Sequence, residues 1–510
     1  MKIHHSKRIL LSLFLLLSIA FSIFIHLKLI NNAQDDAFIH IRIAENFERY
    51  NKLYFNAEEK VYSTSSVIWT LFLGTLFKIL PSTPQTVAKI NAICLVIGGG
   101  IFTYVFLKII NKTLYSWYSL FYFIGYIAIL FVPSYGLMET PFVFMILGIG
   151  ILLFIKESNY QFLIFSILPF LRAEFIIFSI LLYLYHFIYH RQNFYKFFFI
   201  SLLSATPIIG FIFLQYGTLI PNTIHAKSVT FDSAPLSNAL DIVQTLIPIN
   251  LSALPLEVIG ILTVGIIIYF IINKFQHFRQ YKEINATQEY HLDLMFFIAA
   301  GTITLLYIFG RNKLFHWYTP NYVLPLYTVL FIYFANNKNR LIEFAIIAII
   351  ISPTLNLVKV IDKATWSNKL PSLSAAETRG TNYVNIGRWL RKKYPNAKLM
   401  TSEIGGLGYG FKGYIYDAGG LASPEAINYH PVSYPGQLRV GIPLEYILAK
   451  DPDIIISLDG FIVEFMASDL VNNYMLIKKP ALLQNDCKLF DNVFGSKYVY
   501  IYVRKDIYNE

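Results

Sequence analysis

Long apolar runs separated by short polar segments fill the chain from residue 9 to about residue 354. A helix that crosses a bilayer needs roughly 17 to 25 mostly apolar residues. The pattern predicts about eleven such helices, at residues 9–30, 86–107, 114–132, 138–155, 160–171, 174–189, 196–216, 251–272, 291–309, 320–335 and 340–354. The apolar segment 65–80 is short and has Pro and Ser residues beside it, so we predict a helix that lies at the membrane interface or only dips into it.

Beyond residue 354 the pattern changes to short alternating strands and helices. We predict strands at residues 398–402, 414–417, 453–458 and 497–504, and helices at 376–394, 443–450 and 461–469. The chain therefore divides into a membrane domain, residues 1–354, and a C-terminal domain, residues 355–510. The predicted fold class is an all-α membrane domain followed by an α/β domain.

Composition supports this division. Of 510 residues, 55% are hydrophobic and 14% are charged, whereas soluble proteins carry about 25% charged residues. The net charge of +11 lies in short clusters between apolar runs, not in one stripe, which argues against nucleic acid as a partner. Cys94 and Cys487 are far apart in the sequence, so we expect neither a disulfide framework nor a Cys-based metal site.

Basic residues set the predicted topology. The N-terminal cluster precedes an apolar run without a cleavage signal, so we predict an uncleaved first helix with a cytoplasmic N-terminus. With segment 65–80 not crossing, the basic clusters all fall on the cytoplasmic side, as the positive-inside rule requires; they are Lys2, Lys7 and Arg8, Lys108 and Lys112, Lys156, Arg191 and Lys196, Lys274, Arg279 and Lys282, and Lys338 and Arg340. The C-terminal domain is then external.

The opposite face collects polar groups that this rule does not explain. They are Asp35, Asp36, His40, Arg42, Glu139, Arg172, Glu174, Asn222, His225, Lys227, Arg311, Lys313, His316 and Tyr318. Ionisable groups at a membrane boundary are costly, and they usually line a cavity or pair with one another. We therefore expect one polar cavity open to the external face.

The residue pattern leaves structural alternatives open for these groups. In a helix, Asp36 and His40 share one face, while Asp35 lies on another, but both acids also suit a first helical turn. Glu139 suits a first turn as well, and Arg172 with Glu174 suits an ion pair at a helix break.

The loops that follow later helices are equally open to two interpretations. Residues 215–227 combine Asn222, His225 and Lys227 in a way that suits an anion such as phosphate, or form an exposed turn. Residues 311–320 form either part of a substrate site or an aromatic belt at the membrane interface. The Gly-rich stretch 405–410 is not GxGxxG, and we reject a dinucleotide loop there.

Four blocks of sequence together resemble a known family. The first loop runs Asp35-Asp-Ala-Phe-Ile-His-Ile-Arg-Ile-Ala-Glu-Asn-Phe47 and continues through Leu53-Tyr-Phe-Asn56 to Val61-Tyr-Ser-Thr-Ser-Ser-Val-Ile-Trp69. The others follow in order: Gly136-Leu-Met-Glu-Thr-Pro141, Arg172-Ala-Glu174 and Tyr216-Gly-Thr-Leu-Ile-Pro-Asn-Thr-Ile-His-Ala-Lys227. Together they resemble bacterial GT-C glycosyltransferases similar to the terminal mycobacterial arabinofuranosyltransferases. The resemblance covers residues 9 to about 335, and more faintly Ile404–Tyr409 and Asp417–Leu421.

The resemblance implies an enzyme of the bacterial cytoplasmic membrane that transfers a sugar from a polyprenyl-phosphate donor. The acceptor would be a hydroxyl of an envelope glycan, lipid or protein on the external face. The acid at the start of the first external loop, Asp35 or Asp36, is the implied general base. Basic and amide groups would stabilise the leaving phosphate: Lys227, Arg172 and Arg311, with Asn222 or His225. The remaining candidates, which are expected to contact substrate, are His40, Arg42, Glu139, Glu174, His316 and Tyr318.

No nucleotide cofactor is needed with such a donor. Mg²⁺ or Mn²⁺ held by Asp35 and Asp36 is left open, because a metal or basic side chains can both neutralise a leaving phosphate. Two departures, Arg-Ala-Glu for the family's Arg-Pro-Glu and His225 in place of an aromatic residue, leave the sugar open. The alternatives are a lipid-linked glycan transporter or flippase, since intramembrane charges also mark transport pathways, and a glycan polymerase or ligase.

Overall fold

The computed structural model describes residues 2–112, 116–230, 233–246, 288–310, 314–337, 353–355, 357–362, 364–365, 375–478 and 499–508. The N-terminal helices among these residues are α1 (Lys2–Lys28), α2 (Asp35–Tyr50), α3 (Val67–Phe77), α4 (Pro84–Ile109), α5 (Trp117–Tyr135), α6 (Thr140–Ile155), α7 (Gln161–Leu171), α8 (Ile176–Tyr189), α9 (Phe194–Tyr216), α10 (Asn222–Thr230), α11 (Pro235–Leu246), α12 (Gln288–Phe309) and α13 (Pro320–Asn337). The C-terminal elements are α14 (Ala375–Lys393), β1 (Leu399–Thr401), α15 (Gly405–Phe411), β2 (Ile415–Asp417), α16 (Leu444–Lys450), β3 (Ile454–Leu458), α17 (Val463–Ala467), β4 (Tyr474–Lys478) and β5 (Val499–Arg504).

Within the described residues, four helices are long and apolar enough to cross a membrane: α4, α5, α9, and His291–Phe309 within α12. Helix α9 shows why such helices need lipid around them. Its side chains Phe199, Leu203 and Leu214 are 64%, 76% and 77% exposed, and so many exposed apolar groups on one helix are stable only against an apolar medium.

The predicted spans mostly coincide with helices. Nine of the predicted runs match α1, α4 to α9, α12 and α13, while 251–272 and most of 340–354 lie outside the described residues. Helices α3 and α7 have 11 residues each, about 16 Å at 1.5 Å per residue. This is about half of a hydrocarbon core. The length of α3 fits the predicted interfacial helix, but α7 is too short to cross a full bilayer alone.

The membrane helices pack through aromatic side chains and close helix contacts. Phe106 and Tyr122 stack with ring centroids 4.4 Å apart, and the Tyr122 hydroxyl hydrogen-bonds Thr328 on α13 at 2.7 Å. At Gly125 a Cβ would come closer than 3.0 Å to the ring of Tyr327, so α5 approaches α13 where a small residue allows it. This packing fixes where the helix ends lie.

The C-terminal residues form one mixed five-stranded sheet in the order β2-β1-β3-β5-β4. Strands β2, β1 and β3 are parallel, and β5 pairs antiparallel with both β3 and β4. Every residue of β3 is buried, as expected for a strand covered on both faces. The carboxyl ends of β1 and β2 lead into loops that contact the N-terminal part.

The C-terminal domain is docked on helix α2 and the loop that follows it. Arg42 of α2 donates from Nη2 to the Gly413 carbonyl at 2.7 Å. The Asn56 side chain accepts from the Ile415 N–H at 3.2 Å and donates to the Ile415 carbonyl at 2.9 Å. Lys412 forms an ion pair with Glu45. A buried apolar cluster also joins the loop to the sheet, so the two parts share a core.

Candidate active site

Polar side chains at the ends of several helices meet in one place. Glu139 is the residue before α6, and Arg172 stands in extended backbone between α7 and α8. Lys227 lies on α10, the short helix after α9, and Asp36 lies in the first turn of α2. Residues nearly 200 positions apart are therefore neighbours, as the polar-cavity hypothesis requires.

An ion-pair network centred on Arg172 holds two of the helix ends together. Arg172 Nη1 donates to Glu139 Oε1 at 2.7 Å, and its Nε donates to Glu174 Oε1 at 2.9 Å. The Arg172 and Glu139 side chains are 5% and 2% exposed. Because a buried charge is tolerated only when it is paired, each of these groups depends on the other. The arrangement matches the ion pair at a helix break that the sequence left open, and it also places a cation beside the cavity described below.

Two residues of this network were missed in the sequence. The Tyr307 hydroxyl donates to Glu174 Oε1 at 2.6 Å, and Asn321 Nδ2 donates to the same oxygen at 2.8 Å. Tyr307 lies in the last turn of α12 and Asn321 in the first turn of α13, so the available signal was a polar group near the end of a predicted span. Amides and phenols are common near the ends of membrane helices, so neither residue stood out in the sequence.

A second group of contacts joins Asp36, Lys227 and Tyr318. Lys227 Nζ donates to the Tyr318 hydroxyl at 3.0 Å and lies 3.9 Å from Asp36 Oδ2. The guanidinium of Arg172 stacks on the Tyr318 ring at 4.8 Å. Burial alone would lower the pKa of Lys227, but Tyr318 and Asp36 raise it above its ordinary value. Lys227 is therefore cationic at neutral pH.

His40, one turn after Asp36 on α2, contacts Glu139. Its Nε2 is 3.7 Å from Glu139 Oε2, and its Nδ1 is 3.1 Å from the Thr64 hydroxyl. Burial lowers the pKa of His40, although Glu139 and Asp36 act in the opposite direction. The imidazole is therefore neutral near pH 7, where it can both donate and accept hydrogen bonds.

A cavity of about 180 Å³ opens beside this network. Its polar wall is formed by Arg172, Glu174, Lys227, Tyr307 and Tyr318, and its remaining wall is mostly apolar, with Pro221, Ile224, Leu306 and Leu314. A ligand with an anionic head and an apolar tail would suit this cavity, because the cations could bind the head and the apolar side chains could contact the tail. Ser65, from the first loop, also lines it.

The structure separates the two aspartates. Asp35 is 8% exposed, and its carboxylate accepts N–H bonds from Gly405 at 3.1 Å and Gly406 at 2.8 Å. Burial and the nearby Glu403 raise the pKa of Asp35 to about 7, while Arg379 and the Gly406 N–H act to lower it. Such a pKa suits a general base, but both Asp35 oxygens are engaged by the C-terminal domain, whereas Asp36 contacts Lys227 at the cavity.

Of the described sequence candidates, Arg172, Glu174, Lys227 and Tyr318 line the cavity, whereas Asp35, Asp36, His40, Glu139, Arg42, Asn222 and His225 do not. Arg42 stacks on Phe55 and bonds the Phe55 and Gly413 carbonyls, because it anchors the C-terminal domain. Asn222 donates to the Gly420 and Leu421 carbonyls at 2.6 and 3.0 Å. His225 is exposed, and it lies two positions from Lys227 on α10, where side chains do not share a face. Arg311 and the side chain of His316 lie outside the described residues.

A cation held jointly by Asp35 and Asp36 does not fit this geometry. The two carboxylates contact different groups, Asp35 the N–H donors of α15 and Asp36 the ammonium of Lys227. In the part of the chain that the structure describes, no three His, Cys, Asp or Glu side chains are grouped to hold a metal ion. Among the described residues of the cavity wall, the positive charge comes from Arg172 and Lys227.

Comparison with solved structures assigns the class of fold. The chain is similar to the crystal structure of ArnT from Cupriavidus metallidurans bound to undecaprenyl phosphate, with a TM-score of 0.56 over 99% of each chain. The sequence identity is 8%, so this likeness shows the fold alone. The chain has the GT-C type of membrane fold, as expected from sequence, while membership of the superfamily and of the arabinofuranosyltransferase subfamily stays a prediction.

A family model covers only the C-terminal part of the chain. Residues 372–502 match a model described as a domain of unknown function, DUF8728. No curated protein matches the chain.

Proposed function

We propose that this protein is an integral membrane glycosyltransferase that moves a sugar from a polyprenyl phosphate to a hydroxyl acceptor. The observation that carries the proposal is a cavity whose wall combines Lys227, Arg172 and apolar side chains, with the Asp36 carboxylate 3.9 Å from Lys227 Nζ beside it. A fold shared with a protein crystallised with undecaprenyl phosphate supports the same class of donor. The predicted topology puts the site on the external face, where lipid-linked sugars replace nucleotide sugars.

The chemistry assigns each group a step. Asp36 accepts the proton of the acceptor hydroxyl while the hydroxyl oxygen forms a bond to the anomeric carbon of the donor sugar. The bond from that carbon to the phosphate oxygen breaks at the same time. The polyprenyl phosphate leaves with the bonding electrons, and its charge is stabilised by Lys227 and Arg172. Tyr318 holds both cations, through a hydrogen bond to Lys227 and its ring face to Arg172.

Glu139 and Glu174 have a supporting role in this proposal. They orient the Arg172 guanidinium from two sides and keep a buried cation compatible with its surroundings. His40, neutral near pH 7, contacts Glu139 and Thr64. Asn222, Arg42 and His225 are not assigned to the chemistry.

The transporter alternative is less well supported. Intramembrane charges of a transporter line a path near the bilayer midplane, whereas the charges here stand at helix ends beside the first-loop helix α2. A polymerase or ligase of lipid-linked glycans would use the same groups and differ only in the length of the donor glycan. The donor panel below distinguishes these enzymes from one another.

The test is turnover of lipid-linked sugars by purified full-length protein. Undecaprenyl phosphates that carry radiolabelled single sugars or oligosaccharides are incubated with membranes from a deletion strain, and labelled acceptors are identified by mass spectrometry. We expect transfer with the wild type and a loss of roughly 10²- to 10⁴-fold with D36N, the range for removal of a general base. H225A is the matched control and should keep wild-type turnover. Full activity of D36N, or no transfer from any donor, contradicts the proposal.

A further inference from the structure

We infer that Asp35 is a positioning residue that ties helix α2 to helix α15 of the C-terminal domain and thereby directs the neighbouring Asp36 toward Lys227. Its catalytic meaning rests on the proposed function. The positioning itself is a property of the fold and can be measured without turnover.

The tie is a specific one between two chain segments 370 residues apart. Asp35 Oδ2 accepts from the Gly405 N–H and Oδ1 from the Gly406 N–H. N–H groups at a helix start have no partner within their own helix, and a carboxylate acceptor makes stronger bonds than a neutral one. One side chain therefore satisfies both donors, and both of its oxygens are held.

The close approach needs glycine at this point. A Cβ on Gly405 would come closer than 3.0 Å to the Asp35 carbonyl oxygen, and one on Gly406 would meet the Gly380 carbonyl of α14. Gly380 in turn approaches the Ala33 carbonyl, just before α2. The Gly-rich stretch 405–410 therefore forms a surface against which the start of α2 packs.

Fixing Asp35 fixes the direction of Asp36. Adjacent residues of an α-helix point about 100° apart, so the hold of α15 on Asp35 sets the direction of the first turn of α2, while Arg42 and Glu45 hold the later turns. In that orientation Asp36 Oδ2 stands 3.9 Å from Lys227 Nζ. A helix start held only by solvent would leave this separation variable.

The charged groups around the two aspartates come from separate elements. Asp35 faces Glu403, from the loop after β1, and Arg379 of α14, which pair at 3.1 Å. Asp36 faces Lys227 of α10 and His40 of its own helix. The C-terminal domain therefore surrounds the positioning residue, and the membrane part surrounds the catalytic one.

Cross-linking in the full-length chain tests the inference. With Cys94 and Cys487 replaced by Ser, the pair D36C/K227C reports the distance across the site through a short bis-methanethiosulfonate. The pair E45C/K412C, at the ion pair between α2 and the residue after α15, reports docking of the C-terminal domain. We expect D35A to lower the D36C/K227C yield several-fold and to leave the E45C/K412C yield unchanged. An unchanged D36C/K227C yield in D35A overturns the inference.

A second variant keeps the test decisive if D35A does not fold. D35N keeps one acceptor oxygen, and we expect it to lower the D36C/K227C yield with docking intact. Loss of both cross-links in D35N, or of neither, overturns a local positioning role. Because these yields do not depend on turnover, absence of sugar transfer by the wild type would refute the proposed function alone.

Discussion

At the scale of single residues, each buried cation of the site is paired with an anionic or polar side chain. Arg172 is paired on two sides by Glu139 and Glu174, and Lys227 is shared between Tyr318 and Asp36. Water cannot replace these partners because most of the side chains are buried. Each residue therefore contributes both to folding and to the charge that a phosphate would meet.

Removing the charge of Lys227 tests its proposed contact with phosphate. We expect K227M to lower turnover by roughly 10²-fold or more, as for loss of a group that stabilises developing charge. Y318F removes only the hydroxyl that accepts from Lys227 and should cost about 1 kcal/mol of transition-state stabilisation. Initial rates with undecaprenyl-phosphate sugars measure both variants. Equal rates for K227M and Y318F would show that the ammonium does not act on the phosphate.

Neutralising Glu139 tests the buried ion pair. In E139Q the Arg172 guanidinium loses one of its two anionic partners, and breaking a buried pair costs about 3 kcal/mol. Thermal unfolding in detergent should show a clear drop in melting temperature. The control is E48Q, which breaks a pair with Arg49 at the surface, 3.6 Å apart, and surface pairs contribute about 1 kcal/mol or less. A drop in E48Q equal to that in E139Q would contradict the buried-pair account.

At the scale of elements, the lengths of the apolar runs predicted more of the helices than the helix propensity of single residues did. The apolar runs located nine described helices, and the strands predicted at 398–402, 414–417, 453–458 and 497–504 coincide with β1, β2, β3 and β5. Helix α15 was not predicted, because glycine is a poor helix former and the reason for its four glycines lies in partners far away in sequence. The role of Asp35 escaped sequence analysis for the same reason, since spacing could not show which acid meets α15.

Glycine-to-alanine substitutions test the packing of α15. A Cβ on Gly410 would come closer than 3.0 Å to the Val384 carbonyl of α14, whereas one on Gly210 in α9 meets nothing within 4 Å. We expect G410A to destabilise the protein by about 1 kcal/mol or more, the cost of overpacking. G210A should be neutral or slightly stabilising, because alanine favours a helix. Thermal unfolding of both variants measures this, and equal stability would contradict the close α14–α15 contact.

At the scale of the whole molecule, the first-loop helix α2 and the C-terminal sheet share a buried apolar cluster. The C-terminal residues contact α2 through Asp35 and Arg42 and contact the following loop through Asn56, and the membrane helices supply Arg172 and Glu139. The first-loop helix lies between them and carries Asp36. Glu139, Arg172 and Glu174 form one contact network, and Asp36, Lys227 and Tyr318 form another beside it. Arg42 and Asn222 instead contact the C-terminal residues, so a single cavity that gathers all the candidates stays a prediction.

The most direct measurement is a cryo-electron microscopy structure of the full-length protein in nanodiscs with undecaprenyl phosphate. The account predicts the phosphate in the cavity, within hydrogen-bonding distance of Lys227 and Arg172 and next to Asp36, with the prenyl chain along the apolar wall formed by Ile224 and Leu306. Phosphate bound away from Lys227 and Arg172, or at the opposite ends of the helices, would contradict it.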